Sequence, residues 1–475
     1  MNDGQNTAKQ GGAEKKLNIS TKSFLTAIVV IFGLMLATYI LTLFIPGGSY
    51  NRIDDGNGNL IIDTAGGFTQ VEGGIPFWKW LLSPFLVLGA SGNGTLIAII
   101  AFLLVIGGIF TCLDACGLMK YMLNKIVKRF AKTRYLLLTI IMLFFMLMGS
   151  MIGSFEECVP MVPIVVALTV TLGWDSTTGL FASILAAGCG FAAGVCNPFT
   201  VGVAQGLAGL PMFSGVWLRL VAFVLIFALL FTFTFLRAKK IEKPLSELQL
   251  NVEFDTSKRK DLALLLFALI IGVGVVVVLC SSFITILQDY SMIIIAVMFL
   301  VAGIVSCLVF GMKLKSMLIS FLKGVLSMLP AVVMILMASS IKYTLEEAKI
   351  LDTILHGAVG IAGTLPKWSV ILFIYLIVLI MNFFIASGSA KAFMLIPIIM
   401  PLAEIFQISP QLCIVAFAFG DGFSNVMYPT NPVLLISLGL ADVSYGKWFK
   451  KSILFQVCNI LLTSGILLLG LAVGY

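Results

Sequence analysis

Apolar residues in this chain run in long blocks, and the polar residues fall into the gaps between them. The first block covers about 24–45, the second about 94–116, and a clean one about 216–236. Each exceeds the ~18 nearly uncharged residues that let a helix cross a hydrocarbon core. The first is too long for a signal core and no small-residue cleavage site follows it, so it is expected to remain as a span. Between the first two lies a polar loop with Arg52, Asp54, Asp55, Asp63 and Glu72, then PFWKWLLSPF (76–85), whose tryptophans predict an interfacial helix.

Some apolar blocks are interrupted where a simple span would not be. The block 135–174 carries MIGSFEECVPMVP (151–163), with two glutamates beside glycine and proline, and is long enough for two passes turning near 149–153. The block after it is cut by GVCNPFT (194–200). A charged linker, 237–261, then divides the chain. The second half repeats the layout: GSFEEC with PMVP is echoed by SGSAKAF with IPIIMP, GCGFAAGVCNPF by GDGFSNVMYPTNP, and GLAGLPMFSGVW by GLADVSYGKW. Gly190 and Gly422 are about 232 residues apart and Trp217 and Trp448 about 231, so one offset relates separate landmarks and predicts an internal repeat.

Charge supplies the sidedness. The stretch after the second span holds Lys120, Lys125, Lys128, Arg129, Lys132 and Arg134, which the positive-inside rule places in the cytoplasm. Its counterpart, 341–363, carries Glu346, Glu347 and Asp352 against two lysines, and Trp448 is ringed by Lys447, Lys450 and Lys451 where Trp217 has only Arg219. The two halves are therefore expected to be inverted. The fold class expected is an all-α polytopic membrane protein of two inverted repeats, each with a re-entrant hairpin and a broken transmembrane helix. It would have about nine crossings, the N-terminus inside and the C-terminus outside.

The expected organisation is a cytoplasmic tail over 1–23 and a first repeat over 24–236, with its hairpin at 135–174 and broken helix at 177–212. The cytoplasmic linker 237–261 and an extra span at 262–285 follow. The second repeat covers 289–475, with its hairpin at 368–406, its broken helix at 410–440 and a last span. Inverted repeats of this kind characterise secondary transporters, which bind their solute near the midplane.

Composition agrees: 60% of residues are hydrophobic and 11% charged, against about 25% charged in an ordinary soluble chain. The net charge of +8 gathers at the ends of apolar blocks, which reads as topology and not as nucleic-acid binding. The nine cysteines lie mostly in apolar blocks, and Cys112 and Cys116, at i and i+4, have no further ligand cluster to make a metal site. The one histidine, His356, reads as a surface residue.

Chemistry is expected at four interruptions, because non-helical backbone at membrane depth needs protein or a wet cavity to satisfy it. Broken helix ends offer amides to anions and carbonyls to cations. The candidate solute contacts are Ser154, Glu156, Glu157, Asn197, Thr200, Ser387, Gly388, Ser389, Lys391, Asn425, Thr430 and Asn431. The candidates for ion coupling are Glu156, Glu157, Lys391 and Asp421, since a charge at the bilayer centre costs roughly 2.5–3.5 kcal/mol unless it has a role or a partner. Either glutamate could simply neutralise Lys391, or one could meet the cargo. No cofactor is expected beyond a coupling Na+ or H+.

EECVPMVP, GVCNPFTVGVAQGLAGLPMFSGVWLR, SGSAKAFMLIPIIMPLAE and FGDGFSNVMYPT closely resemble the C4-dicarboxylate anaerobic carrier (DcuC-like) family, above all its YfcC-like branch. The resemblance runs over most of the chain. It implies a multi-pass transporter of the bacterial inner membrane, within the ion-transporter superfamily, dimeric, with a domain that moves as an elevator. It maps the hairpin tips onto 154–157 and 387–391 and the broken helices onto 197–200 and 421–431. Two positions depart from the family pattern: Lys391 stands where relatives usually carry a neutral glutamine-like residue, and Asn431–Pro432 follows the PT pair. The resulting expectation is secondary active transport of a small carboxylate-bearing metabolite, a C4-dicarboxylate or an amino acid, including exchange of basic amino acids. A channel or a membrane enzyme is the alternative.

Overall fold

The computed structural model describes residues 21–54, 60–62, 67–90, 94–153, 155–211, 213–244, 257–281, 291–362 and 365–475. It is a bundle of helices with one small patch of strands. In chain order, α1 (Thr21–Phe44) leads to β1 (Gly48–Tyr50), β2 (Arg52–Asp54), β3 (Leu60–Ile62) and β4 (Phe68–Gln70). Helices α2 (Phe77–Leu86), α3 (Gly94–Cys116) and α4 (Leu118–Phe130) follow. Next come α5 (Arg134–Leu147), α6 (Val162–Thr171), α7 (Ser176–Leu180), α8 (Ala186–Ala193), α9 (Val203–Leu207) and α10 (Val216–Ile241). The second half holds α11 (Lys258–Ser281), α12 (Ser291–Phe310), α13 (Leu314–Ser327), α14 (Leu329–Glu347) and α15 (Leu351–Ala362). It ends with α16 (Lys367–Phe384), α17 (Gly388–Ile405), α18 (Pro410–Ser424), α19 (Pro432–Leu440) and α20 (Tyr445–Ala472).

Among the described residues, eight helices are long and apolar enough to cross a membrane. Their burial separates two roles. The window Ser176–Ala193 is 94% buried inside the protein, whereas Val216–Ile241 is only 28% buried and turns Leu220, Val224 and Leu236 outward. Outward apolar side chains are stable only against lipid, so α10 is a wall helix and α7–α8 an inner one. The inner helix is made of small residues, AAGCGFAA, which let other backbones come close. Gly422 on α18 shows the consequence: a Cβ there would lie 2.2 Å from the Cα of Ala192.

Packing sorts the helices into two groups. Helices α1, α2, α3, α11, α12, α13 and α14 pack mainly on one another; α5–α10 and α16–α20 form the second group. Helix α2 lies across α1 with Trp80 buried, its Nε1 donating to Met35 O at 3.1 Å and its ring stacked on Tyr39, while Trp78 stays exposed. The strands pair antiparallel, β1 with β4 and β2 with β3. They are tied to α15 by Asp352, which accepts from Tyr50 N at 3.0 Å and from Arg52 Nη2 at 2.9 Å on both oxygens. His356 is exposed, as a surface residue would be, yet it lies flat on Phe68 at 4.2 Å and bonds the Tyr50 hydroxyl at 3.0 Å.

Three differences from the sequence reading have local causes. The amphipathic stretch expected at 341–363 is the end of α14, a break at Lys349 with φ 55°, and then α15. Helix α11 begins at Lys258, within the charged linker, because Lys125 and Tyr121 of α4 bind Asp261 and draw the linker's end into a helical turn. Trp217 and Trp448, which the sequence pattern pairs, differ in environment. Trp217 is exposed beside Tyr475, whereas Trp448 is fully buried and donates to Val426 O at 2.8 Å. The tail 1–20, much of the linker (245–256) and residues 282–290 lie outside the described residues.

Candidate functional site

The second hairpin consists of α16 and α17. Helix α16 ends at Phe384 and its cap, Ile385, is extended at φ −124°. Ser387 then caps α17, accepting from Ala390 N at 3.4 Å. The first turn of α17 presents Ser387 and Ala390 exposed, Gly388 and Ser389 half-buried, and Lys391 fully buried. The Lys391 ammonium lies 2.6 Å from Asp421 Oδ1, 2.7 Å from the Ile385 carbonyl and in contact with Asn382 Oδ1. Asp421 is also fully buried, so the ion pair is sealed from solvent.

Asn382 binds this pair to the second broken helix. Its Nδ2 lies 2.6 Å from Ser424 Oγ, 3.0 Å from Asn425 Oδ1 and 3.1 Å from Asp421 O. Asn431 Nδ2 donates to the same Asn425 oxygen at 2.9 Å, while its own Oδ1 caps α19 through Val433 N at 2.9 Å. The turn 425–431 between α18 and α19 is thus held by side-chain amides, and Tyr445 adds a bond to Met427 O at 2.9 Å. Proline at the first position of α19 has no N–H to leave unsatisfied, which suits a helix restarting inside the protein.

The first half is built alike but joined differently. Helix α5 passes into a π-helical turn, Met148–Ile152, and stops at left-handed Gly153; α8 stops at left-handed Gly194. Ser150 joins the two stops: its Oγ accepts from Val195 N and its carbonyl from Cys196 N, both at 3.1 Å. Asn197 Oδ1 accepts from Thr200 N at 3.3 Å where the chain resumes as a π turn before α9.

The two halves meet at Gly388. A Cβ on this residue would come within 2.5 Å of Thr200 Cγ2 and 2.6 Å of Asp421 Oδ2. At that junction Asp421 Oδ2 and Thr200 Oγ1 are buried without a hydrogen-bond partner among the described residues, and so is Thr430 Oγ1 in the second turn. Buried polar atoms in native proteins are nearly always bonded, so a cluster of unsatisfied ones calls for an occupant. Beside the first turn of α17 lies a cavity of about 500 Å³, lined by Arg52, Glu346, Lys349, Asp352, Ala390 and Phe393 among others. It is large enough for a metabolite.

Glu156 and Glu157 do not reach this junction as an ion pair. Lys391 takes Asp421 instead, which removes one of the two alternatives, that a hairpin glutamate simply neutralises it. The reason is reach: Lys391 bends back under its own hairpin toward α18, while the 156–161 turn packs on α12 and α19. Glu156 is half-buried there. Glu157 is buried beside a cavity of about 20 Å³, with Met148 and Met161 on its own side and Ile271, Met298 and Phe299 on the other helix group. Ser154 lies outside the described residues. The geometry therefore gathers Thr200, Gly388, Lys391, Asp421, Asn425 and Asn431, keeps Asn197 and Thr430 in the adjoining turns, and sets Glu157 at a seam between helix groups, while Glu156 lies near enough to Asp421 to feel its charge.

The sequence reading missed Asn382, Ser424 and Ser150. Asn382 had a signal, being a single amide near the end of KWSVILFIYLIVLIMNFF, an otherwise apolar helix. Ser150 had none, because its role depends on which backbone amides face it.

Membrane-crossing helices folded around buried polar turns define a multi-pass membrane transport protein. The chain matches the model of the C4-dicarboxylate anaerobic carrier family over residues 24–473, and it belongs to that family. It is 31% identical over 390 residues to the Escherichia coli K12 protein named "Putative basic amino acid antiporter YfcC", covering 76% of this chain and 74% of that one. It is 23% identical over 391 residues to an uncharacterised protein of Haemophilus influenzae, covering 79% and 75%. Among solved structures, the YdaH transporter of Alcanivorax borkumensis is similar with a TM-score of 0.43, 17% identity and coverage of 95% of this chain and 99% of that one. The Neisseria gonorrhoeae protein MtrF has a TM-score of 0.44, 14% identity and 95% coverage of each chain. The family is one of carriers, not enzymes.

Proposed function

We propose that the protein is a secondary active transporter of a small carboxylate-bearing metabolite, binding it at the junction of Thr200, Gly388 and Asp421. The observation that carries this reading is the cluster of buried, unsatisfied polar atoms where the two broken helices and the second hairpin converge. Helix N-termini and the hydroxyls of Thr200 and Thr430 suit a carboxylate; Asp421, whose Oδ1 pairs with Lys391, keeps Oδ2 to accept from an N–H of the solute. A solute carrying both groups, an amino acid, fits this pairing better than a C4-dicarboxylate. The name of the Escherichia coli relative favours the same class, basic amino acids included.

In this reading the order hairpin, broken helix, wall helix recurs as α5–α6, α7–α9, α10 and as α16–α17, α18–α19, α20, inverted in the membrane. The second helix group moves as an elevator against the first. Glu157, at the seam between groups, is the carboxylate that handles a coupling proton. The bacterial inner membrane, a cytoplasmic N-terminus and a dimer complete the proposal. Counterflow in proteoliposomes loaded with amino acids or C4-dicarboxylates is the test. Accumulation of label against an unlabelled pool is expected, and no flux of any member of either class, with or without ion gradients, would defeat the reading.

A further inference from the structure

The surroundings of Lys391 Nζ are those of a bound cation. Three oxygens of different origin converge on it: the Asp421 carboxylate at 2.6 Å, the Ile385 main-chain carbonyl at 2.7 Å and the Asn382 amide oxygen. The Ile385 carbonyl is open to a cation because Ile385 is the extended cap of α16, and terminal carbonyls lack a helical partner and carry partial negative charge. The Asn382 amide cannot turn its oxygen elsewhere, since its nitrogen is engaged by Ser424 Oγ at 2.6 Å and Asn425 Oδ1 at 3.0 Å. Carboxylate, carbonyl and amide oxygens are what hard metal cations take, about six to eight of them at about 2.3–2.6 Å for calcium, so these three would be part of a shell that water completes in the space a shortened side chain leaves. The cage would need to close by only a few tenths of an ångström to hold a metal in place of the ammonium.

We infer that Lys391 is a tethered cation filling a three-oxygen cage of the kind a metal cation could share, and that removing its ammonium turns the cage into a sodium site. The tether comes from the first turn of α17, whereas the cage belongs to α16, Ile385 and α18. The lysine therefore locks the second hairpin to the second broken helix with no ion taken from solution. One buried carboxylate is balanced by one buried ammonium, so the cage is neutral without sodium. This goes beyond the proposed function and does not depend on which solute is carried.

The test is a thermal-stability titration of purified, detergent-solubilised full-length protein in sodium chloride, with potassium chloride and choline chloride as references. Wild type is expected to melt at the same temperature in all three. Lys391→Ala is expected to melt lower in choline and to recover by several degrees, saturably, in sodium alone, because a ligand that binds only the folded state stabilises by mass action. Lys391→Ala combined with Asp421→Asn is expected to show no sodium response. Survival of Lys391→Ala during purification in sodium but not in choline would carry the same meaning. A single variant that melts identically in all three salts overturns the inference, as does a sodium response already present in wild type or kept in the double variant. If Lys391→Ala is lost in every salt, Lys391→Ser, which adds an oxygen to the cage, takes its place; loss of both in sodium overturns the inference as well. None of these readouts uses transport, so a failed flux assay leaves the result intact.

Discussion

Replacing Asp421 by Asn tests whether the Lys391–Asp421 pair is the electrostatic centre of the fold. Both side chains are 0% exposed and 2.6 Å apart. At an effective dielectric constant near 20, two unit charges at that separation attract by roughly 6 kcal/mol. Desolvating them opposes this by several kcal/mol per ion, so the intact pair contributes little net stability compared with an apolar pair. Removing one partner is different, because it strands a buried charge and typically costs about 3–5 kcal/mol. Asp421→Asn leaves the ammonium with Asn382 and Ile385 only and should lie in that range, as should Lys391→Met. The double variant should cost no more than one single variant, giving a coupling energy of about 3 kcal/mol or more. The assay is unfolding of the four proteins by SDS titration in mixed micelles, followed by near-ultraviolet circular dichroism. Additive losses, with coupling under about 1 kcal/mol, would refute the claim that the two charges depend on each other.

Three further outcomes follow from the same geometry. Asn382→Ala removes the amide that joins Lys391 to Ser424 and Asn425, and should lower stability by about 1–3 kcal/mol in the same titration. Gly388→Val drives a side chain against Thr200 and Asp421 Oδ2, both buried and both forced to shift to admit it, so flux into proteoliposomes should vanish and the melting temperature should fall with it. At the other end of the molecule, half-exposed Asp261 is held below the usual 3.8, first by the Lys125 hydrogen bond and then by that of Tyr121. A depressed carboxyl contributes stability above its unfolded value and loses it as pH falls through the folded one. Asp261→Asn should therefore melt slightly below wild type at pH 7, and the gap should close on acidification below about 3.8.

Much of the architecture could be read from one dimension. The hydrocarbon core forces long apolar blocks into helices and allows a break only where something satisfies the freed backbone, so the blocks and the four interruptions had to stand out in the sequence. Helix α3 begins and ends at the residues the apolar block marks, and α8 stops at Gly194, where the motif GVCNPFT opens. The roles of individual charges were not legible in this way. Spacing along the chain puts Glu156, Glu157, Lys391 and Asp421 inside apolar blocks but does not say which of them meet.

That choice belongs to the rotation and crossing of packed helices. Helix α18 crosses α8 closely because Gly422 has no side chain to hold Ala192 off, and it packs on α16, where Asn382 bonds the Asp421 carbonyl. The same packing brings Asp421 to the lysine of α17. The short turn that carries the glutamates packs on α12 and α19, and neither glutamate pairs with the lysine. The sequence by itself determined that the chain is a membrane bundle with polar breaks, because an aqueous backbone cannot exist in hydrocarbon. Only the tertiary structure decided that Lys391 answers to Asp421 and Asn382, because a side chain only a few ångströms long pairs with whatever helix packing brings within its reach.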